Sequence, residues 1–275
     1  LRLRDRPKSG DIVREWLLDI DNSSVKTEAR NLYCGRGFKE ALKSAGQQFA
    51  VQIISVGLGL IRSSDMVPAY EATVTPGADD DVRSLGFTPH DWWTALSVHG
   101  RVKWPKDGLL LIAASAPYLD LINRDLIAVP SERVRLFTRA SPTDVSPQLR
   151  SAIMPYDDRL NDPRLNCAGT FSDFAQRAMA HFANTILIES PSGTTDDHRR
   201  IVAEALSQCV APIRTLGRSA EDREVMELIA CHFESVGGRA GPMLRLFRDE
   251  LRVACEQSRF SRLFRQFLEE TWKEN

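Results

Sequence analysis

Val51-Gln52-Ile53-Ile54-Ser55-Val56-Gly57-Leu58-Gly59-Leu60-Ile61 is the stretch on which the fold turns. Val51 to Leu58 is an apolar run of strand length without alternation. That pattern predicts a central parallel strand covered on both faces. The run passes Ser55 and meets Gly57 and Gly59, a turn of the kind that builds a pocket mouth at the carboxyl end of a strand. Gly108 to Ala114 is a second buried strand, ending at Ser115-Ala116-Pro117-Tyr118, and Val134 to Thr138 is a third. Between and around them, helical spacing predicts helices over 11–21, 37–48, 79–83, 89–99, 118–126 and 171–188. The alternation gives an α/β fold with a mostly parallel sheet flanked by helices.

Beyond this, Ser190-Pro191-Ser192-Gly193-Thr194-Thr195 is turn and linker chemistry. The expected division is an α/β domain over 1–191 and a small helical domain over 192–275. The latter reads as helices 196–208, 221–235, 243–253 and 258–272, with no convincing further strand. The pair flanking Gly237-Gly238 is arranged as in a helix-turn-helix or winged-helix domain. Arg239, Arg245, Arg248, Arg252, Arg259, Arg262 and Arg265 face only Asp249, Glu250 and Glu256 in that stretch, a local net charge of +4. Arg245, Arg248 and Arg252 are spaced by three and four, which puts them on one helix face. With Arg239 they are candidate DNA contacts, since guanidinium groups pair with phosphates and guanine edges. The alternative is the solvated face of an ordinary helical bundle.

The formal net charge of −1 excludes a bulk attraction to nucleic acid or acidic membranes, so any DNA contact must be local. No apolar run approaches a membrane span. The five cysteines are widely spaced with no C-x-x-C pair, which argues against a disulfide framework or a cysteine zinc site and for a reducing cytoplasm. No metal or cofactor is expected. His90, His99, His181, His198 and His232 show no metal-ligand spacing and read as structural or surface residues.

Several residues carry candidate chemistry. The turn at Ser55 and Gly57 can offer backbone N–H groups to a phosphate or base edge, or its glycines only permit a tight turn. Tyr33 and Tyr70 suit stacking on a base, or are buried tyrosines with satisfied hydroxyls. Cys34 is a nucleophile if Arg36 and Lys39 lower its pKa, or a small buried filler. Asp157, Asp158 and Arg159 form a carboxylate–guanidinium cluster able to orient a purine-like ring, or a solvated turn.

Leu32-Tyr33-Cys34-Gly35-Arg36-Gly37-Phe38, then Ser55-Val56-Gly57-Leu58-Gly59-Leu60, then Pro68-Ala69-Tyr70-Glu71-Ala72-Thr73 give the order LY-x-G-x-x-F, S-x-x-x-GL, P-x-Y-x-x-T. This order resembles the YaaA-like superfamily of bacterial proteins over residues 29 to 125, in particular the DpdC-like branch of 7-deazaguanine DNA-modification proteins. Relatives usually carry a Cys/Ser and Lys motif on a first strand. The chain instead begins at Leu1 in a basic segment, so the native start is expected to be missing. The resemblance implies modification of a 7-deazaguanine base in DNA, such as hydration of 7-cyano-7-deazaguanine to the carboxamide. It implies Ser55, Asp157 and Cys34 as catalytic candidates, Tyr33, Gly57, Tyr70 and Arg159 as substrate-binding candidates, and DNA and other proteins of a modification or defence system as partners. The competing classes are a non-catalytic DNA-binding protein and a nucleotide or N-glycosidic hydrolase.

Overall fold

The computed structural model describes residues 1–5, 11–212 and 217–273 of the chain. Its elements, in order, are α1 (Ile12–Asn22), β1 (Thr27–Glu28), α2 (Ala29–Leu32), α3 (Arg36–Ala45), β2 (Gln52–Ser55), β3 (Gly59–Arg62) and β4 (Met66–Val67). Then come α4 (Pro89–Val98), β5 (Leu110–Ala113), α5 (Ala116–Leu126), β6 (Val134–Phe137), α6 (Phe174–His181), α7 (Leu187–Glu189) and α8 (Thr195–Leu206). The chain ends with β7 (Arg218–Ser219), α9 (Asp222–His232), α10 (Ala240–Asp249), β8 (Val253–Ala254) and α11 (Gln257–Lys273). Two compact units result, Leu1–Pro212 and Ile213–Asn275.

The expected helices form where local chemistry agrees with the apolar period. Asp11 caps α1 by accepting from the Arg14 N–H at 3.0 Å. Thr88 caps α4 by accepting from the Asp91 N–H at 3.1 Å, with Pro89 on the first turn. The segment expected as a helix over 79–83 is instead a short 3₁₀ turn at Val82–Leu85. The long helix expected over 171–188 is α6, a π-helical stretch at Phe182–Ile186, and α7.

The mostly parallel sheet does not form. Among the described residues the strands pair only in twos. β5 and β6 are parallel, with Leu110 opposite Val134 and Ala113 opposite Phe137, as expected for two buried strands joined by a helix. β2 instead turns back onto β3 as an antiparallel hairpin, Gln52 opposite Arg62 and Ser55 opposite Gly59. The cause is Gly59, whose φ of 81° reverses the chain before Leu60 and Ile61. An apolar run states burial but not its pairing partner, so Val51–Leu58 read alike for either arrangement. Two core clusters fill the first unit. One gathers Trp16, Ile53, Trp92, Trp93, Leu121 and Leu136 with their neighbours; the other gathers Phe137, Tyr156, Phe174, Phe182 and Val202 with theirs.

The unit boundary falls after α8, about twenty residues beyond the expected division at 191/192. Ser190–Thr195 is indeed a turn, but α8 packs back on the first unit. Its Ile201, Val202 and Leu206 are buried in the second core cluster. Thr194 and Asp197 form a capping box at its start. Beneath it, Arg135 on β6 is only 1% exposed and His198 is fully buried. The Arg135 Nε–H donates to His198 Nδ1 at 2.8 Å, and an Arg135 terminal N–H donates to the Gly193 carbonyl at 3.1 Å. His198 Nε2–H then donates to the Ser190 carbonyl at 2.8 Å. This network fixes a neutral imidazole, because Nδ1 accepts while Nε2 donates.

In the second unit, α9, α10 and α11 enclose Val225, Ile229, Met243, Phe247, Phe260 and Leu263. A short parallel pair, β7 with β8, joins the segment before α9 to the segment after α10 and was not expected. The helix expected over 243–253 is α10 and stops at Asp249, so Arg252 does not share its face. Arg252 lies just past the helix at φ 52°. Among the described residues no helix is long and apolar enough to cross a membrane.

Burial foremost, and then the Arg135 charge, push the His198 pKa down, against the opposing pull of the Ser190 hydrogen bond and of Asp197. Burial does the same to His181. A histidine depressed in the folded state takes a proton first in the unfolded chain, so its stabilisation is full above about pH 6.5 and falls as pH drops below it. Denaturant midpoints should therefore be flat from pH 8 to 7 on this account and decline toward pH 5. His198→Gln should lower the midpoint at pH 7.5 and shrink the decline. An unchanged slope in that variant would show that His198 does not carry the effect.

Candidate functional site

The hairpin turn between β2 and β3 is held by side chains from α1 and α4. Trp16 Nε1–H donates to the Gly57 carbonyl at 2.6 Å, and Trp92 Nε1–H donates to the Val56 carbonyl at 2.7 Å. Both rings are fully buried, so each indole N–H requires such a partner. In the sequence the two tryptophans stand only within predicted helices; the donor that a buried indole must satisfy was the signal that could have assigned them to the turn. Leu60 N–H donates to the Arg101 carbonyl at 2.9 Å. The same carbonyl stands where a Cβ on Gly59 would sit.

Gly57 has a different reason to lack a side chain. A Cβ there would lie 2.5 Å from Tyr70 Cε2 and 3.1 Å from Trp16 Cζ2. The Tyr70 ring thus lies directly on the turn, edge-on to Trp16 at 6.1 Å between centroids. Its hydroxyl lies 2.6 Å from Ser55 Oγ on one side and 2.6 Å from the Tyr33 hydroxyl on the other. Ser55 is 1% exposed, and its Oγ also accepts from the Leu58 N–H at 3.1 Å. Tyr33, Tyr70 and Ser55 are therefore linked beside Gly57 in a continuous chain of hydroxyls. Tyr33 and Tyr70 are half-buried and so form its accessible end.

Every phenol here resists ionisation. Burial raises the Tyr33 pKa and lifts that of Tyr70 well above its ordinary value, with Tyr33 adding to the effect on Tyr70. Tyr118, in the first turn of α5, is raised by burial and by Tyr70. The sequence reading assigned Tyr118 only to the start of a helix. These groups are neutral hydroxyls that donate and accept hydrogen bonds, and they are not bases.

Asp157 and Arg159 belong to another neighbourhood. Arg159 Nε–H lies 2.9 and 3.0 Å from the two Asp157 oxygens, and another Arg159 N–H donates to the Leu206 carbonyl at 3.3 Å. The Asp157 carboxylate also caps the 3₁₀ turn Asp158–Asn161 through the Arg159 N–H. Burial acts to raise its pKa, but the Arg159 hydrogen bonds and charge outweigh it and leave the pKa lowered. The pair is satisfied by itself at the edge of the second core cluster. Cys34 is exposed, which removes its reading as a buried filler.

Of the expected DNA contacts in the second unit, Arg239 and Arg245 are exposed. Arg248 pairs with Asp249 at 2.7 Å. Arg259 and Arg262 both pair with Asp222 at the start of α9, at 2.6 and 2.8 Å, so part of the cationic stripe holds this unit together. Among the described residues no three His, Cys, Asp or Glu side chains come together as a metal site would need. Compared with family models, with curated proteins and with solved structures, the chain matches none.

The two glycines with positive φ at 59 and 77 separate steric from conformational cost. Gly77 has open space around it at φ 78°, whereas Gly59 faces the Arg101 backbone. Gly77→Ala should lose about 1–2 kcal/mol from the left-handed backbone alone. Gly59→Ala should lose roughly 3 kcal/mol or more, because backbone must move as well. Equal losses in chemical denaturation would mean that the turn is not clamped.

Proposed function

We propose that the first unit modifies a purine-like base through the Tyr33–Tyr70–Ser55 hydroxyl chain, and that the base is a 7-deazaguanine in DNA. The observation that carries this reading is the convergence of three separated sequence motifs on one set of hydroxyls. Tyr33, Ser55 and Tyr70 come one from each motif of the YaaA-like resemblance, and their oxygens are linked at 2.6 Å.

Hydration of 7-cyano-7-deazaguanine suits such a chain. The nitrile carbon gains the oxygen of water, and the nitrogen ends with two protons as the carboxamide. A neutral phenol can hydrogen-bond to the nitrile nitrogen and give it a proton as water adds to the carbon, the proton shed by that water replacing the one the phenol gave up. Tyr33, at the accessible end, is suited to touch the nitrogen. Tyr70 relays the proton, and Ser55 positions Tyr70 from its buried place. Asp157 pairs with Arg159 instead, and no role is assigned to it or to Cys34. The second unit then serves as a DNA-holding arm through Arg239 and Arg245, a reading favoured by their exposure and by the absence of an ion pair to either among the described residues.

Full-length protein incubated with DNA carrying 7-cyano-7-deazaguanine should add the mass of one water to that nucleoside, read by mass spectrometry after digestion. Tyr33→Phe and Tyr70→Phe should each slow the gain by roughly 100-fold, the scale of losing a positioned proton donor. Arg239→Glu with Arg245→Glu should lower the slope of log affinity against log salt by about 0.9 per lost phosphate contact. No mass gain would sink the hydration reading, and unchanged salt curves would remove DNA from the second unit.

A further inference from the structure

A polar cleft lies between the first turns of α3 and α6. It holds about 140 Å³ and is lined by Arg36, Gly37, Cys167, Asp173 and Arg177, among others. That is below the roughly 300–1,000 Å³ of pockets for drug-sized ligands and suits a single ring system. We propose that this cleft binds the Watson–Crick edge of a guanine-type base, with Asp173 accepting from the ring N1–H and the 2-amino group.

The argument starts from an incompletely satisfied carboxylate. Asp173 is 4% exposed. Its Oδ1 accepts from Arg177 Nε–H at 2.7 Å and from the Thr170 N–H at 2.9 Å. Its Oδ2 is buried and accepts no hydrogen bond. Arg36 Nε stands 3.1 Å from that oxygen, at ion-pair distance but without hydrogen-bond alignment. Gln176 Oε1 is another buried acceptor without a partner. Gly37 brings both acceptors against α3, since a Cβ there would lie 3.2 Å from Asp173 Cβ and from Gln176 Oε1. Gly169 likewise lets both guanidinium groups approach, because a Cβ on it would overlap Arg177 Nε and crowd Arg36 Nη2.

Burial works to raise the Asp173 pKa, but Arg177 and then Arg36 outweigh it, so the carboxyl is ionised and acts only as an acceptor. Two guanidinium groups already face it. The N1–H and 2-amino edge of guanine is an acylguanidine, planar and with the same adjacent donors. It can take the place of Arg36, whose side chain is 64% exposed and whose other contact, an N–H donated to the Ala168 carbonyl, is long at 3.4 Å, so that it can turn outward toward the base carbonyl. Adenine presents an acceptor at N1 and would meet the carboxylate with like polarity. Hypoxanthine keeps N1–H but lacks the second donor.

This goes beyond the base-modification reading and stands on the cleft's own geometry. Free nucleosides test it without DNA or a nitrile, so its failure and that of the hydration reading are distinguishable. Calorimetric titration of the full chain should rank guanosine above inosine above adenosine, with guanosine at least about tenfold tighter than adenosine. Asp173→Asn should weaken guanosine at least about tenfold. Because Asp173 also anchors Arg177, the ranking on the unaltered protein and on Arg36→Ala keeps the test valid if that variant fails to fold. Arg36→Ala should bind guanosine as tightly as the parent or more so. Equal binding of guanosine and adenosine, no binding of either, or loss of guanosine in Arg36→Ala would overturn the proposal.

Discussion

Two indole N–H groups gripping two consecutive carbonyls, Trp92 on Val56 and Trp16 on Gly57, set the geometry on which the first unit depends. A buried carbonyl without a donor is costly, and so is a buried indole N–H without an acceptor. Each satisfies the other, which anchors α1 and α4 to the same hairpin turn. The turn can then be tight only because Gly57 leaves room for the Tyr70 ring and Gly59 for the Arg101 backbone. Tyr70 is thereby delivered to Ser55 and Tyr33.

Much of the local structure could be read from sequence because local rules agree there. α1, α4 and α5 each combine an apolar period with a cap or an early proline. The β5–α5–β6 unit was legible for the same reason, as two apolar runs around a helical one. The sheet was not, because strand pairing is a non-local choice and the apolar run Val51–Leu58 carries no label for its partner. Its glycines were seen, but whether they open a loop or close a hairpin depends on the φ of Gly59.

The site divides in a similar way. Tyr33, Ser55, Gly57 and Tyr70 were recognisable together through their order in three short motifs. Asp157 was misplaced because a carboxylate two residues from an arginine can satisfy itself, and here it does. Asp173 was missed although its spacing to Arg177 marks a helical ion pair. Burial, which makes that pair distinctive, comes only from packing α3 on α6. The unit boundary moved for a related reason. A turn-rich segment looks like a linker until a buried cation, Arg135, is found tying it to a strand through His198 and Gly193. The arginine-rich tail likewise separates into groups that fold the second unit, Arg259 and Arg262 on Asp222, and groups left exposed.

The central claim is that the clamped turn holds its tyrosines in a half-buried chain of neutral hydroxyls. Spectrophotometric titration of the native protein tests it directly, by following tyrosinate absorbance as pH rises. Tyr33, Tyr70 and Tyr118 all have raised pKa values, and so does Tyr156 at its own buried site, which accounts for all four tyrosines of the chain. The account predicts that no tyrosine ionises with the ordinary midpoint near 10, and that normal titration returns on unfolding. A native tyrosine titrating at or below about 10 would contradict it.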